Sequence, residues 1–237
     1  EWCKKKSYRF ITLQECYAIL SGKIRQEGKV AYLSFDDGWQ SNLNLIPIID
    51  KYQAPITIFV SIDPLLSGNF WWEYALADGI ELRNKMKLMS YKKFVSSLES
   101  LKKKYSLERS VLTEQELVKI ASHPLVSIQS HTMSHPILTN CDDEILSYEL
   151  NSSKAYLENL LHHKIEAFSY PNGNFSNREI EAVKKAGYKM AFTTEYIPIQ
   201  INHTNLYRIP RMAMNTYGGY YENLSKILGI WQDILKK

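Results

Sequence analysis

Short, solid apolar runs recur along this chain, each followed by a stretch with helical periodicity, and that alternation narrows the fold more than any other feature. Strand candidates lie at 30–35, 56–60, 126–129, 167–170, 190–193 and 206–209. Several are continuous rather than alternating, as expected of strands covered on both faces. Between them, Leu43, Ile46 and Ile49 or Asp50 keep helical spacing, with Pro47 an awkward member. Thr113 and Glu116 have the spacing of a capping box that opens a helix to about Ala121. Leu146, Leu150, Ser153, Leu157 and Leu161 share one face of a longer helix starting near Asp142. Ser176 caps another helix, ending at Gly187, with Ile180, Val183 and Ala186 inward. The pattern predicts an α/β protein with a mainly parallel sheet.

The stretch 63–112 breaks the rhythm with Phe70-Trp71-Trp72 and a lysine-rich helical segment, and reads as an insertion between the second and third strand candidates. One domain over 1–237 with that inserted subregion fits better than two. A C-terminal helix is expected over about 217–236, with Tyr220 or Tyr221, Leu224, Leu228, Trp231 and Leu235 docking on the main body.

Composition removes several function classes. With 45% hydrophobic and 12% aromatic residues the chain is not generally disordered. The basic runs at 4–6 and 102–104 lack interleaved aromatics, and the net charge is only +4, so nucleic-acid binding is not expected. No transmembrane segment is expected, because no stretch reaches the roughly 18 apolar residues of a membrane span. Cys3, Cys16 and Cys141 form no metal-binding spacing. Their odd number leans toward a reducing, cytoplasmic compartment. A chain that begins at Glu1 leaves room for a removed signal peptide or anchor, so localisation stays open, as does oligomeric state.

Two of the apolar runs end in residues that carry chemistry. Asp36 and Asp37 close the first and Gly38 follows; His131 and His135 close the run at 125–128. Strand geometry sends successive side chains to opposite faces, and Gly38 permits a sharp turn that brings both acids to the strand's carboxyl-end mouth. Asp-Asp-Gly is also ordinary turn chemistry, and taken alone that reading would prevail. Imidazoles four residues apart face one way on a helical turn, and neutral imidazole is a common ligand for zinc and similar metals. Two imidazoles and one carboxylate suit a divalent cation and leave the second carboxylate for proton transfer.

Ser34-Phe35-Asp36-Asp37-Gly38, followed by His131-Thr132-Met133-Ser134-His135, resembles the first two motifs of the polysaccharide deacetylase family, carbohydrate esterase family 4. Residues 54–60 resemble that fold's second strand, and the likeness runs from about Val30 to Arg211. The resemblance implies a distorted (β/α) barrel of about seven strands and metal-dependent removal of N- or O-acetyl groups from sugars. By position it makes Asp36 the general base and Asp37, His131 and His135 the metal ligands. The ligand types make zinc the default, with cobalt, nickel or iron also accepted by two imidazoles and a carboxylate.

The family's third motif corresponds here to Ser169-Tyr170-Pro171-Asn172-Gly173. Pro171 has no N–H, which leaves the Asn172 backbone amide as oxyanion donor. Ser169 stands where relatives carry an arginine that pairs with the catalytic aspartate, and it cannot form that ion pair. Residues 207–211 resemble the final-strand motif of the poly-N-acetylglucosamine deacetylase branch. Arg208 and Arg211 there have opposite parity, and Arg211 is the expected partner of Asp36. Tyr170 and Trp72 are candidate substrate contacts. The family's late histidine has no equivalent; His203 reads as a loop residue, and His123, His162 and His163 as helix-terminal ones.

The expected activity is hydrolysis of N-acetyl groups on a saccharide. Open beside it are a carbohydrate O-acetyl esterase, a saccharide-binding protein on a weakened enzyme scaffold, and a 2-His-1-carboxylate iron oxygenase, which gives Asp36 no task.

Overall fold

The computed structural model describes residues 1–197, 199, 201, 204–215 and 217–228. Six strands, β1 (Tyr8–Ile11), β2 (Lys29–Phe35), β3 (Ile56–Val60), β4 (Val126–Ser130), β5 (Ala167–Ser169) and β6 (Met190–Phe192), pair in sequence order. Every pairing between these strands is parallel, and the sheet curls into a half-barrel flanked by helices. The architecture is the distorted (β/α) barrel, with six strands in place of about seven. The segment 206–209 contributes a single parallel bridge, Ile209 to Phe192. Its chain turns on itself, with Arg208 N–H bonded to Asn205 O at 2.9 Å, and Pro210 has no N–H to extend the ladder. β1, in turn, went unread because its four residues show no long apolar run.

Strand parity sorts the side chains into two cores. Leu33, Phe35, Ile56, Ile58, Val60, Ile128, Phe168 and Ala191 face the surrounding helices. Val30, Tyr32, Phe59, Ala167, Met190 and Phe192 face the barrel interior, which the helix Leu13–Leu20 fills with Leu13, Cys16, Ile19 and Leu20. Burying one such large apolar side chain contributes roughly 1.5–3 kcal/mol, so both faces of the short strands matter to stability. The inward parity continues past the strand ends to Asp36 on β2 and His131 on β4, and Ser169 shares it on β5.

The helices start where the chain supplies caps. Thr113 with Glu116 and Ser176 with Glu179 form capping boxes for Glu114–Ala121 and Asn177–Lys185, and Asp142 caps Asp143–Leu161. Pro47 falls in the first turn of the helix Ile46–Tyr52, where its missing N–H has no intrahelical partner to lose. Four helices, Ile62–Ser67, Trp71–Asp78, Ile80–Met86 and Tyr91–Lys104, occupy the insertion between β3 and β4. The last three share an apolar cluster that includes Trp71, Tyr74, Met86, Phe94 and Leu101. The C-terminal helix is described over Gly219–Ile227, and Trp231 and Leu235 lie outside the described residues. Among the described residues no helix is long and apolar enough to cross a membrane.

Candidate active site

The site forms where β2, β4 and β5 end. Beyond Phe35 the chain leaves the ladder through Asp37 at φ 80° and Gly38 at φ 87°. A side chain at Gly38 would approach the Val60 methyls to 3.2 Å in a left-handed conformation, so the turn suits glycine. Asp36 keeps the inward parity of Tyr32 and Ser34, whereas the twist at Asp37 swings its carboxylate toward β4. There Trp39 Nε1 donates to Asp37 Oδ2 at 3.0 Å.

His131 and His135 do not sit on a helical turn; residues 131–135 form an irregular loop, with Thr132 at φ 72° and His135 at φ 55°. The loop is tied on several sides. Ser61 Oγ donates to His131 O at 2.6 Å, Asp63 N to Met133 O at 2.7 Å, and Trp71 Nε1 to His135 O at 2.9 Å. Among the described residues, seven non-glycine residues have positive φ, and four of them (Asp37, Thr132, His135 and Asn172) surround this site. Such conformations cost of order 1–3 kcal/mol each and persist only where surrounding contacts hold them.

One ligand atom from each of Asp37, His131 and His135 lies within 4.8 Å of the others. Asp37 Oδ1 is 3.6 Å from His131 Nε2 and 3.4 Å from His135 Nε2. Ligands held about 2.1 Å from one cation in tetrahedral array stand about 3.4 Å apart, so the trio fits a zinc-sized ion. The donor chemistry agrees. His131 Nδ1 lies 2.7 Å from Ser169 O, which assigns the proton to Nδ1 and leaves the Nε2 lone pair facing Asp37. Burial lowers the proton affinity of both imidazoles, holding them in the neutral form a metal needs. Burial and the neighbouring Asp36 charge raise Asp37 to about 7 despite the Trp39 hydrogen bond. Without a cation, Asp37 therefore favours its protonated form below neutral pH.

Asp36 has the opposite fate. Burial alone would raise its pKa, but the Arg211 charge, His131 and hydrogen bonds from Arg211 and Ser169 bring it down to about 2. Arg211 grips it in bidentate fashion, Nη1 to Oδ1 and Nη2 to Oδ2, both at 2.7 Å. The guanidinium is itself held by Ser34 Oγ at 3.0 Å, Thr193 O at 3.2 Å and Ser169 Oγ at 2.6 Å. Ser169 carries no charge, yet its hydroxyl reaches Asp36 Oδ2 at 3.1 Å. The strand position that lacks arginine therefore still touches the acid, and the cation arrives from the closing segment. Arg208, of opposite parity, pairs outside with Glu195 at 2.5 Å.

The remaining candidates divide. Asn172 sits in a left-handed turn at φ 55° after β5, with its side-chain oxygen held by Lys87 Nζ at 3.1 Å. Tyr170 is only 1% exposed; its ring stacks on Phe175 and its hydroxyl is bonded to Tyr207 O at 3.0 Å, so it is a core residue and not a substrate contact. Trp72 stands edge-on to His135 at 4.6 Å between ring centres, with one face covered by Phe70. His162 ends the helix Asp143–Leu161 in a left-handed cap, His123 lies 3.1 Å from Asp50 just after another helix, and His203 lies outside the described residues.

Sequence reading missed Trp39, Lys87 and Glu149. The carboxylate of Glu149 accepts from Met133 N at 2.8 Å and Ser134 N at 3.0 Å. Its position was legible, because it falls between Leu146 and Leu150 on the apolar stripe of its helix; a glutamate there must find partners inside. Trp39 and Lys87 left no such signal.

Comparison with known proteins gives a family model, polysaccharide deacetylase, that matches residues 23–191. YxkH of Bacillus subtilis (strain 168) is 25% identical over 232 residues, 94% of this chain and 67% of that protein. A poly-beta-1,6-N-acetyl-D-glucosamine N-deacetylase of Staphylococcus aureus (strain N315) is 25% identical over 217 residues, 91% of this chain and 64% of the relative. The chain thus spans about two thirds of the length of these relatives. Among solved structures, IcaB from Ammonifex degensii superposes with a TM-score of 0.67 at 18% identity, covering 97% of this chain and 84% of that one. Streptococcus pyogenes deacetylase PplD, solved with acetate, gives 0.63 at 22% identity, covering 94% and 80%. At these identities the two structures speak for the fold.

Proposed function

The chain belongs to the polysaccharide deacetylase family, and from that premise we propose that it is a metal-dependent hydrolase removing N-acetyl groups from a saccharide. One observation carries the reading: an Asp37–His131–His135 cluster of metal-binding dimensions, both imidazoles buried, adjoins a second carboxylate, Asp36, that does not belong to it. A structural metal site has no use for that neighbour.

In this reading Asp37, His131 and His135 hold the cation, zinc by default, with cobalt, nickel or iron compatible with the same donors. When bound, the cation polarises the acetyl carbonyl and lowers the pKa of a water toward ~7. Asp36, kept anionic by Arg211, is placed to take a proton from a water attacking the carbonyl carbon. The Asn172 backbone N–H donates to the developing oxyanion; losing one such donor typically costs roughly 3–4 kcal/mol of transition-state stabilisation. The C–N bond then breaks, and the departing amine needs a proton. A carboxyl with a pKa of about 2 gives its proton up readily, so Asp36 can return what it took.

Trp72, partly exposed beside His135, is the aromatic candidate for contact with a sugar ring. The S. aureus relative suggests poly-N-acetylglucosamine as the first substrate to try. An O-acetyl ester is the alternative substrate, because an alkoxide leaves with less help from an acid.

The test is acetate release from N-acetylated and O-acetylated saccharides, coupled to elemental analysis. Asp36→Asn is expected to lower release by at least about 100-fold with metal still bound. Release unchanged in that variant would sink the assignment of the base. Preferential release from O-acetylated xylan would replace the amidase reading with the esterase one.

A further inference from the structure

Glu149 is fully enclosed on the helix Asp143–Leu161, and the proposed chemistry gives it no step. Its donors are all neutral. Oε2 accepts from the consecutive amides of Met133 and Ser134 at 2.8 and 3.0 Å. Oε1 accepts from Ser134 Oγ at 2.6 Å and from Tyr91 OH, which belongs to the insertion, at 3.3 Å.

Burying a carboxylate without a cation is costly, so its presence needs a reason other than filling space. The reason lies in where those donors sit. Met133 and Ser134 are the two residues between Thr132 and His135, the left-handed positions that bend the chain so that both imidazoles meet Asp37. Two adjacent N–H groups converging on one oxygen fix the middle of the bend. Thr132 Oγ1 accepts the His135 N–H at 3.0 Å, and Trp71 Nε1 ties the His135 carbonyl. Glu149 holds the loop from the helix Asp143–Leu161 and also touches the insertion through Tyr91.

We propose that Glu149 is a positioning residue for the metal ligands: its carboxylate presets the 131–135 loop so that His131 and His135 present their Nε2 atoms together. The proposal rests on the metal-site reading above. It concerns only this chain's own residues and does not require that the cation serve catalysis.

The test measures metal affinity, not turnover, on the purified chain with Zn²⁺ in competition with a chelator, and the absorption spectrum of the Co²⁺ form. Wild type is expected to bind one ion. Glu149→Ala, confirmed folded by circular dichroism, is expected to weaken affinity by roughly 10- to 100-fold and to alter the Co²⁺ bands. Glu149→Gln keeps a carbonyl oxygen for the two amides and is expected to recover most of that loss. Should Glu149→Ala fail to fold, Ser134→Ala removes one of the four donors and is expected to weaken binding several-fold. Wild-type affinity and spectrum in a folded Glu149→Ala, or in Ser134→Ala where Glu149→Ala does not fold, would overturn the proposal. Absence of any bound ion in wild type would instead overturn the metal-site reading beneath it.

Discussion

On the β2 side of the site, charge holds a carboxylate in place: Arg211 meets Asp36 through two hydrogen bonds from the far end of the chain, 175 positions away. On the β4 side, two imidazoles sit in a loop held without any cation, by hydroxyl, indole and amide donors and by the one buried carboxylate of Glu149. Adjacent groups thus depend on different physics. The ion pair is strong because it is sheltered and bidentate, and it fails entirely if either partner is removed. The loop spreads its restraint over many weaker bonds, so that losing one leaves the others.

The largest expected effect breaks the charged side. Arg211→Met leaves Asp36 sheltered without its cation, and stability to urea is expected to fall by roughly 3–5 kcal/mol. Metal stoichiometry should survive, because the imidazole loop does not use Arg211. A variant as stable as wild type would remove the distinction drawn between the two sides.

The next effect separates the two acids by pH. Asp37 has its folded pKa raised to about 7, above the ordinary 3.8, so the stability it contributes is full below 3.8 and lost as pH rises toward 7. Asp36 is depressed to about 2, so its contribution is present above 3.8 and lost as pH falls toward 2. The metal-free protein should therefore melt at a lower temperature at pH 8 than at pH 5, by an amount that Asp37→Asn largely abolishes. The Asp37 contribution is at most about 4 kcal/mol. Adding Zn²⁺ at pH 8 should restore the melting temperature, since the cation takes the proton's place. Metal-free wild type and Asp37→Asn that respond identically to pH would contradict the assignment.

The smallest effect concerns the bond that orients Asp37, the β2-side member of the metal cluster. Trp39→Phe removes the indole N–H from Asp37 Oδ2 and keeps the ring among Phe70 and Trp72. It is expected to cost about 1 kcal/mol of stability and to weaken metal binding by roughly tenfold, read by chelator competition.

What sequence could show follows from the range of each interaction. β2 to β6 announced themselves through local apolar blocks, and the helices through Thr113, Asp142 and Ser176, because strand and cap signals span only a few residues. The parity that separates Arg208 from Arg211 is equally local. Asp-Asp-Gly announced the turn after β2, but nothing in residue spacing aims the Trp39 indole back at Asp37. Lys87 reaches Asn172 from an insertion whose docking no periodicity encodes. Tyr170 was misjudged for a related reason: motif position puts it beside the site, but its strand parity turns the ring into the helix-facing core.

The bridge from Ile209 to Phe192 is the last pairing of the sheet, and Arg211 lies two residues past it. Besides Ala191 N–H to Leu206 O at 2.8 Å, it hangs on Ile209 N–H to Ala191 O at 2.9 Å and Thr193 N–H to Ile209 O at 2.8 Å. A seam fastened so briefly is among the first places a native sheet breathes. Each opening would carry the guanidinium from Asp36, making hydrogen exchange at those two amides a gauge of how often the acid loses its counter-ion.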